Sequence, residues 1–326
     1  MNYHKLSQRQ KLFARYTGLS LPDFNKLSEE LKPMWLEAEK KRLSRPSRQR
    51  KIGGGRKYKI ESFNDKLLLI LVFYKLYLTF DLLGFLFADT DKGCISRLIA
   101  KIEPILAKRL KLPEIKRDRN KPIASLDELF YLYPEMKGYI GDATEQEIPK
   151  PKDRQKNKVY RSGKKRRHTL KTQIIINQGN GVIQDVSPPF PGSVHDYKVF
   201  QKILKGKVWL KDKPSYWDKG YQGINKDFPK ILAIIPKKSS RWHKLSQRDK
   251  LFNQQVGEIR IKVEHSICKC KQFKLLSQIY RHSFKDYHQR FKNIACLINF
   301  RIERAVIKQQ EMFLYALGKP AGVIAQ

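Results

Sequence analysis

A chain of 326 residues that is 40% hydrophobic carries enough apolar material for a sizeable core, which excludes wholesale disorder. Its 68 Lys and Arg against 31 Asp and Glu give a formal net charge of +37, so the expected partner is a polyanion, nucleic acid first among them. Cys94, Cys268, Cys270 and Cys296 show no paired framework, the N-terminus "MNYHKLSQRQ" is polar, and the most apolar run, "KLLLILVFYKLYLTF", is broken by Lys75. A cytoplasmic protein without a membrane partner is therefore expected.

Residues 1–44 read as polar helix, with a break at Leu21-Pro22 that suits the start of a new helix. The segment 45–60, "RPSRQRKIGGGRKYK" and its end, is a basic, glycine-containing linker able to lie along phosphates. From 61 to 112 the apolar spacing is helical: "NDKLLLILVFYKLYL", then "FDLLGFLFA", the turn "DTDKG", and "CISRLIAKIEPILAKRL". Two helices joined by a tight turn predict a helix-turn-helix, with Lys92, Ser96, Arg97 and Lys101 as candidates to face DNA. A plain three-helix bundle has the same periodicity.

After Pro113 the period changes. "KGYIGDATEQEI" reads as a strand carrying Asp142; "HTLKTQIIIN" and "GVIQDVSPPF" form a hairpin through Asn180-Gly181. "DYKVFQKILK" is a short helix, "SYWDKGY" a fourth strand, "PKILAIIPKK" a fifth, and Leu245 to about Gln310 largely helix. This order predicts an α/β mixed sheet with helical cover over 113–310, followed by a tail at 311–326. "KLSQRQKLF" at 5–13 nearly repeats as "KLSQRDKLF" at 244–252, the shared Ser reading as a helix cap.

The topology predicts which acids meet. Asp142 lies on a central strand, the fourth strand returns beside it and brings Asp218, and Asp196 stands at the entrance of the connecting helix as a fourth carboxylate or a cap. In "EIRIKVEHSICKCKQF", Ile259, Val263, Ile267 and Cys270 make an apolar stripe at ~100° per residue, with Arg260, Glu264 and Lys271 on the neighbouring face and the two cations aimed at the phosphates of DNA. Crowded carboxylates repel unless a cation binds them, and hard oxygen ligands suit Mg²⁺ or Mn²⁺. Two such ions support in-line phosphoryl transfer. Asp142, Asp218 and Glu264 are the expected catalytic acids, with Asp196 a further metal ligand.

In this order "GDATEQEIP", "YRSGKKRRHTLKTQ", "PGSVHDYKVF", "DKGYQG" and "RIKVEHSICKCKQF" resemble DDE transposases of the bacterial insertion-sequence and Harbinger-like endonuclease group, over about residues 138–300. The resemblance implies a ribonuclease H-like fold behind a helix-turn-helix. It also implies divalent-metal catalysis of cut-and-paste movement at terminal inverted repeats. Asp142 matches the family's first acid and Glu264 the last; Asp196 and Asp218 both match metal-associated positions. One departure is Cys268, where the family usually has glycine. Double-stranded DNA, both element ends and target, is the implied partner, with a homodimer or larger assembly on it and a nucleoid-associated location.

Other readings carry less. His265, Cys268 and Cys270 lack zinc spacing, and both cysteines read as small core residues. Lys164, Lys165, Arg166 and Arg167 sit in the basic run Arg161–Lys171, expected to neutralise phosphates. His168 and His195 read as structural and Trp217 as core. A nuclease that cuts without joining, or a DNA-binding scaffold that has lost chemistry, are the competing functions; clustered acids in so basic a chain disfavour the scaffold.

Overall fold

The computed structural model describes residues 1–44, 47, 49, 51, 57–113, 137–204, 210, 213–242 and 244–316; most of the expected linker at 45–60 and of the tail lies outside them. The chain sorts into two compact units.

The first unit takes Met1–Lys111, Phe273–Leu275 and residues from Cys296 on. It contains helices α1 (Tyr3–Ser7), α2 (Gln10–Thr17), α3 (Leu21–Leu43), α4 (Phe63–Leu76), α5 (Phe80–Ala88) and α6 (Lys92–Arg109). Ser20, Ser62, Thr79 and Asp91 cap α3 to α6 by accepting backbone N–H groups that the first turn leaves orphaned. The run read as a core helix is one: α4 is buried almost all round, from Lys66 to Tyr74. No helix among the described residues is long and apolar enough to cross a membrane.

Between α5 and α6 the chain turns tightly. Asp89 takes a left-handed φ of 43° and Thr90 N–H donates to the Gly84 carbonyl at 3.1 Å. A Cβ on Gly84 would stand 1.9 Å from the Thr90 carbonyl oxygen, so only glycine lets the turn fold back onto α5.

The second unit takes Leu112–Gln272 and Leu276–Ala295. Its strands are β1 (Tyr139–Glu147), β2 (Thr169–Asn177), β3 (Ile183–Val186), β4 (Phe190–Pro191), β5 (Ser215–Tyr216) and β6 (Ala233–Ile234). Helices α7 (Arg154–Tyr160), α8 (Asp196–Ile203), α9 (Ile224–Asp227) and α10 (Gln247–Lys271) intervene, and α11 (Phe284–Ala316) closes the described chain. The sheet order is β3-β2-β1-β5-β6, with β4 added to β2. β1, β2 and β3 are antiparallel neighbours, whereas β5 and β6 run parallel to β1. This is the ribonuclease H-like mixed sheet expected from the sequence, with β1 central. Tyr139, Ile175, Phe200, Trp217 and Tyr221 form the core of one layer.

Several details differ from expectation. The fourth strand ends at Tyr216, because Tyr221 N–H reaches back to the Asp218 carbonyl at 2.9 Å and winds Lys219–Tyr221 into a 3₁₀ turn. Of the two near-repeated segments only the second is capped by its Ser: Ser246 builds a capping box with Asp249, whereas Ser7 ends α1. The N-terminal unit also takes the chain from Cys296, which the sequence reading left with the sheet up to residue 310.

Candidate active site

Asp142 occupies the fourth position of the central strand, where the surrounding sheet leaves its carboxylate 22% exposed. It accepts the Ala143 N–H at 2.8 Å. Burial, with added repulsion from Asp218 and Asp196, pushes its pKa up to about 6 against the pull of the Ala143 N–H and Arg260. Such a carboxyl carries its charge at a cost in the folded state, which a bound cation would offset.

The register Tyr139↔Ser215 and Ile140↔Tyr216 carries on to set Asp218 abreast of Asp142, even though pairing stops at Tyr216. What fixes that direction is Trp217. Its fully buried ring lies where a Cβ on Gly141 would be, 2.1 Å from the nearest ring atom, and stacks edge-on to Phe200 at 4.8 Å. Its indole N–H donates to Ser215 Oγ at 2.8 Å. With Trp217 held inward, the next side chain in an extended backbone must face the other way.

Arg260 of α10 lies between the two acids, 3.3 Å from Asp218 Oδ1 and 3.9 Å from Asp142 Oδ2. Its buried Nε has no hydrogen-bond partner. The sequence reading aimed Arg260 at phosphate; here it neutralises carboxylates. On the other side, Asp196 is the first residue of α8 and not its cap, because His195 Nδ1 accepts the Tyr197 N–H. Asp196 Oδ1 instead pairs with Lys171 Nζ at 2.8 Å. Lys171 also stands 3.6 Å from Glu145, its cross-strand partner, and donates to the Val194 carbonyl. Glu145 was not singled out from the sequence, and Lys171 only as the end of the basic run from Arg161 expected to face phosphate. Their cross-strand pairing is the signal that could have found them, and it needs the register.

Asp142, Asp196 and Glu264 line one open groove of about 540 Å³, bordered by Lys164, Lys165 and Lys271; Asp218 is not part of its wall. Glu264 is exposed on α10 beside the buried Val263 and Ile267. Lys271 is half-buried, its pKa lowered by burial and by Lys165. Lys164, Lys165, Arg166 and Arg167 are all exposed, and Arg167 pairs with Glu147 at 3.2 Å.

Among the described residues no three Asp, Glu, His or Cys side chains already stand close enough to hold a metal ion. The donor set nevertheless fits a hard divalent cation. It is all carboxylate oxygen, and burial raises the pKa of Asp142, a cost that a bound cation would offset. The rival sulfur site is not built: Cys268 and His265 are exposed, correcting the core reading of Cys268, and burial pushes the Cys270 thiol up to about 12. His168 is held by Asn157 at 3.0 Å, as a structural histidine.

In the N-terminal unit, Lys92, Ser96 and Arg97 are exposed along α6. Lys101 differs: its ammonium donates to the Tyr58 hydroxyl at 2.5 Å and lies 3.9 Å from Glu39, so it serves the helices rather than a ligand.

Comparison with known proteins follows the same division. Residues 58–112 match the family described as the helix-turn-helix of DDE superfamily endonuclease, and residues 141–299 match DDE superfamily endonuclease itself. The chain is 29% identical over 293 residues to the "Probable transposase for insertion sequence element IS702" of Microchaete diplosiphon, covering 89% of this chain and 94% of that protein. Two solved structures of Mos1 transposase, a pre-cleavage transpososome and a paired-end complex with the left transposon end, match 78% of this chain and 80% of theirs at 9% and 10% identity. Their TM-score of 0.20 is too slight to inform the fold.

Proposed function

We propose that the chain is a DDE superfamily endonuclease, the family its residues 141–299 match, and that it is the transposase of an insertion element, cutting and joining DNA at the element's ends. The observation that carries this reading is the groove that Asp142, Asp196 and Glu264 line together, bordered by lysines, with Asp218 beside Asp142 across Arg260. Phosphodiester substrates need that combination: acids for the chemistry and cations for the backbone.

In this reading α6 presents Lys92, Ser96 and Arg97 to the element end, and the loop Lys164–Arg167 with Lys271 neutralises phosphates beside the groove. Asp142, Asp218 and Glu264 would hold a divalent cation, Mg²⁺ or Mn²⁺, with Asp196 as a fourth oxygen donor. Two such ions would supply activation of the attacking water or 3′-hydroxyl and stabilisation of the leaving oxygen. Arg260 lies between Asp142 and Asp218 and offsets their mutual repulsion. A homodimer or larger assembly on DNA, in the cytoplasm at the nucleoid, completes the proposal.

The test is Mg²⁺-dependent cleavage of an end-containing duplex by Asp142→Asn, Asp218→Asn, Glu264→Gln and Asp196→Asn. The first three should each lose several orders of magnitude while still binding DNA. A milder loss in Asp196→Asn is expected, because Lys171 already satisfies its charge. Wild-type cleavage by Asp218→Asn, with Asp196→Asn dead, would put Asp196 in its place.

A further inference from the structure

A second concavity, of about 330 Å³, lies beyond the end of β1, where the chain passes from Glu147 into Pro149 and Lys150. That volume is at the small end of ligand pockets, ~300–1,000 Å³. Its walls come from three places: the Pro149–Pro151 turn, helix α7 and the segment Tyr280–Phe284. No acid lines it. Lys150, Lys156 and Arg281 supply positive charge, while Tyr160, Tyr280 and Phe284 supply rings.

The rings are ordered as a platform rather than a slot. Tyr280 is fully buried, held by its N–H on the Glu147 carbonyl at 2.8 Å. Phe284 is braced by Tyr160 at 5.6 Å and Tyr280 at 6.5 Å between centroids, yet stays 38% exposed. His282 packs edge-on to Tyr280, its pKa lowered to about 4 by burial and by Arg290 and Arg281. It is therefore neutral at pH 7, adding a polar rim without charge. A supported, exposed aromatic face beside lysines has the two features that hold an unstacked nucleotide: a surface for the base and cations for the phosphate.

The location fits the same substrate as the groove. Seven residues of extended chain separate Asp142 from Pro149, ~23 Å at 3.3 Å per residue, which is about seven nucleotides of duplex DNA at 3.4 Å each. Residues 150–167, which lend Lys164 and Lys165 to the groove and Lys150 and Lys156 to the pocket, carry ten Lys and Arg against the single acid Asp153. The basic character thus continues from the groove to the pocket.

We propose that this pocket binds an unpaired base of the DNA strand running out of the groove, with Phe284 as the stacking face and Lys156 contacting the adjoining phosphate. The inference rests on the reading that the chain handles DNA. Its occupant is a single unstacked nucleotide within DNA.

The experiment uses the full chain and two duplexes, one fully paired and one with a single unpaired 2-aminopurine about seven base pairs from the cleavage point. Wild type should prefer the unpaired duplex roughly tenfold and change the 2-aminopurine fluorescence as the base stacks. Phe284→Leu should lose the preference and the fluorescence change while binding the paired duplex as before; Phe284→Trp should keep both. Lys156→Gln, on a separate element, should weaken binding of the unpaired duplex and flatten its salt slope by about one unit. An unaltered preference in Phe284→Leu, or no preference in a wild type that binds the paired duplex, overturns the pocket alone. Failure of wild type to bind either duplex overturns the DNA reading itself.

Discussion

The two flanks of Asp142 balance negative charge in different ways. Toward β2, Asp196 and Glu145 are served by Lys171, whose side chain is 9% exposed and whose ammonium also bonds the Val194 carbonyl. Toward β5, Asp218 is 41% exposed and meets only the guanidinium of Arg260, which spans to Asp142 at 3.9 Å and leaves its own Nε unpartnered. The first flank is a network in which one buried cation serves two acids and a carbonyl, although Asp196 is 29% exposed to the groove. The second is a single pair between Arg260, 13% exposed, and the more open Asp218. Two aspartates that look equivalent in sequence are thereby given different freedom to take up a metal ion.

If the Lys171 flank is structural, breaking it should be felt first in stability. Lys171→Met leaves Glu145, itself 9% exposed, and Asp196 without their cation. Removing one partner of a buried pair leaves an uncompensated charge, and about 3 kcal/mol of destabilisation is expected by urea unfolding. Adding Glu145→Gln should restore part of it. A Lys171→Met protein as stable as wild type would erase the contrast between the flanks.

Asp142 itself gives the next largest effect, and its sign is the reverse. Its folded pKa, about 6, lies above the ordinary 3.8 because burial disfavours the charge. The folded state therefore holds this proton more tightly than the unfolded chain. Asp142 contributes stability that is complete below about pH 4 and is lost as pH rises through about 6. Asp142→Asn should flatten that part of the stability–pH curve. At pH 7, without added metal, it should be more stable than wild type by at most about 3 kcal/mol, at 1.36 kcal/mol per pKa unit. Thermal unfolding at pH 4.5 and 7 checks this; equal pH slopes for the two proteins would mean that Asp142 carries its charge without cost.

Much of this was legible in the sequence and some was not, for physical reasons. β1, the β2–β3 hairpin, α8 and α10 announce themselves by alternation, by Asn180-Gly181 and by the stripe Val263, Ile267, Cys270. β5 was overread because Tyr216 and Trp217 look like strand, although the 3₁₀ turn after Asp218 ends it. Helix α7 was missed: it buries no residue, so no apolar period marks it, and only its Asp153 cap after Pro151 gave a hint. The partners of the acids were hidden for another reason. Lys171 and Arg260 read as cations for DNA, because a single sequence shows charge but not where it points.

The smallest expected effect tests the open flank. In Arg260→Met, Asp218 loses its cation but remains 41% exposed, so water can solvate it. Pairs this open are worth little, and the stability change should stay within about 1 kcal/mol. The loss should fall on Asp142, whose charge Arg260 helps to hold, moving its pKa further upward. Resolving the Asp142 carboxyl by NMR titration in both proteins separates the two consequences. A change in stability as large as that of Lys171→Met would show Arg260 to be a fixed strut, and the two flanks would then be alike. A small change with an upward-shifted Asp142 would keep the two flanks distinct.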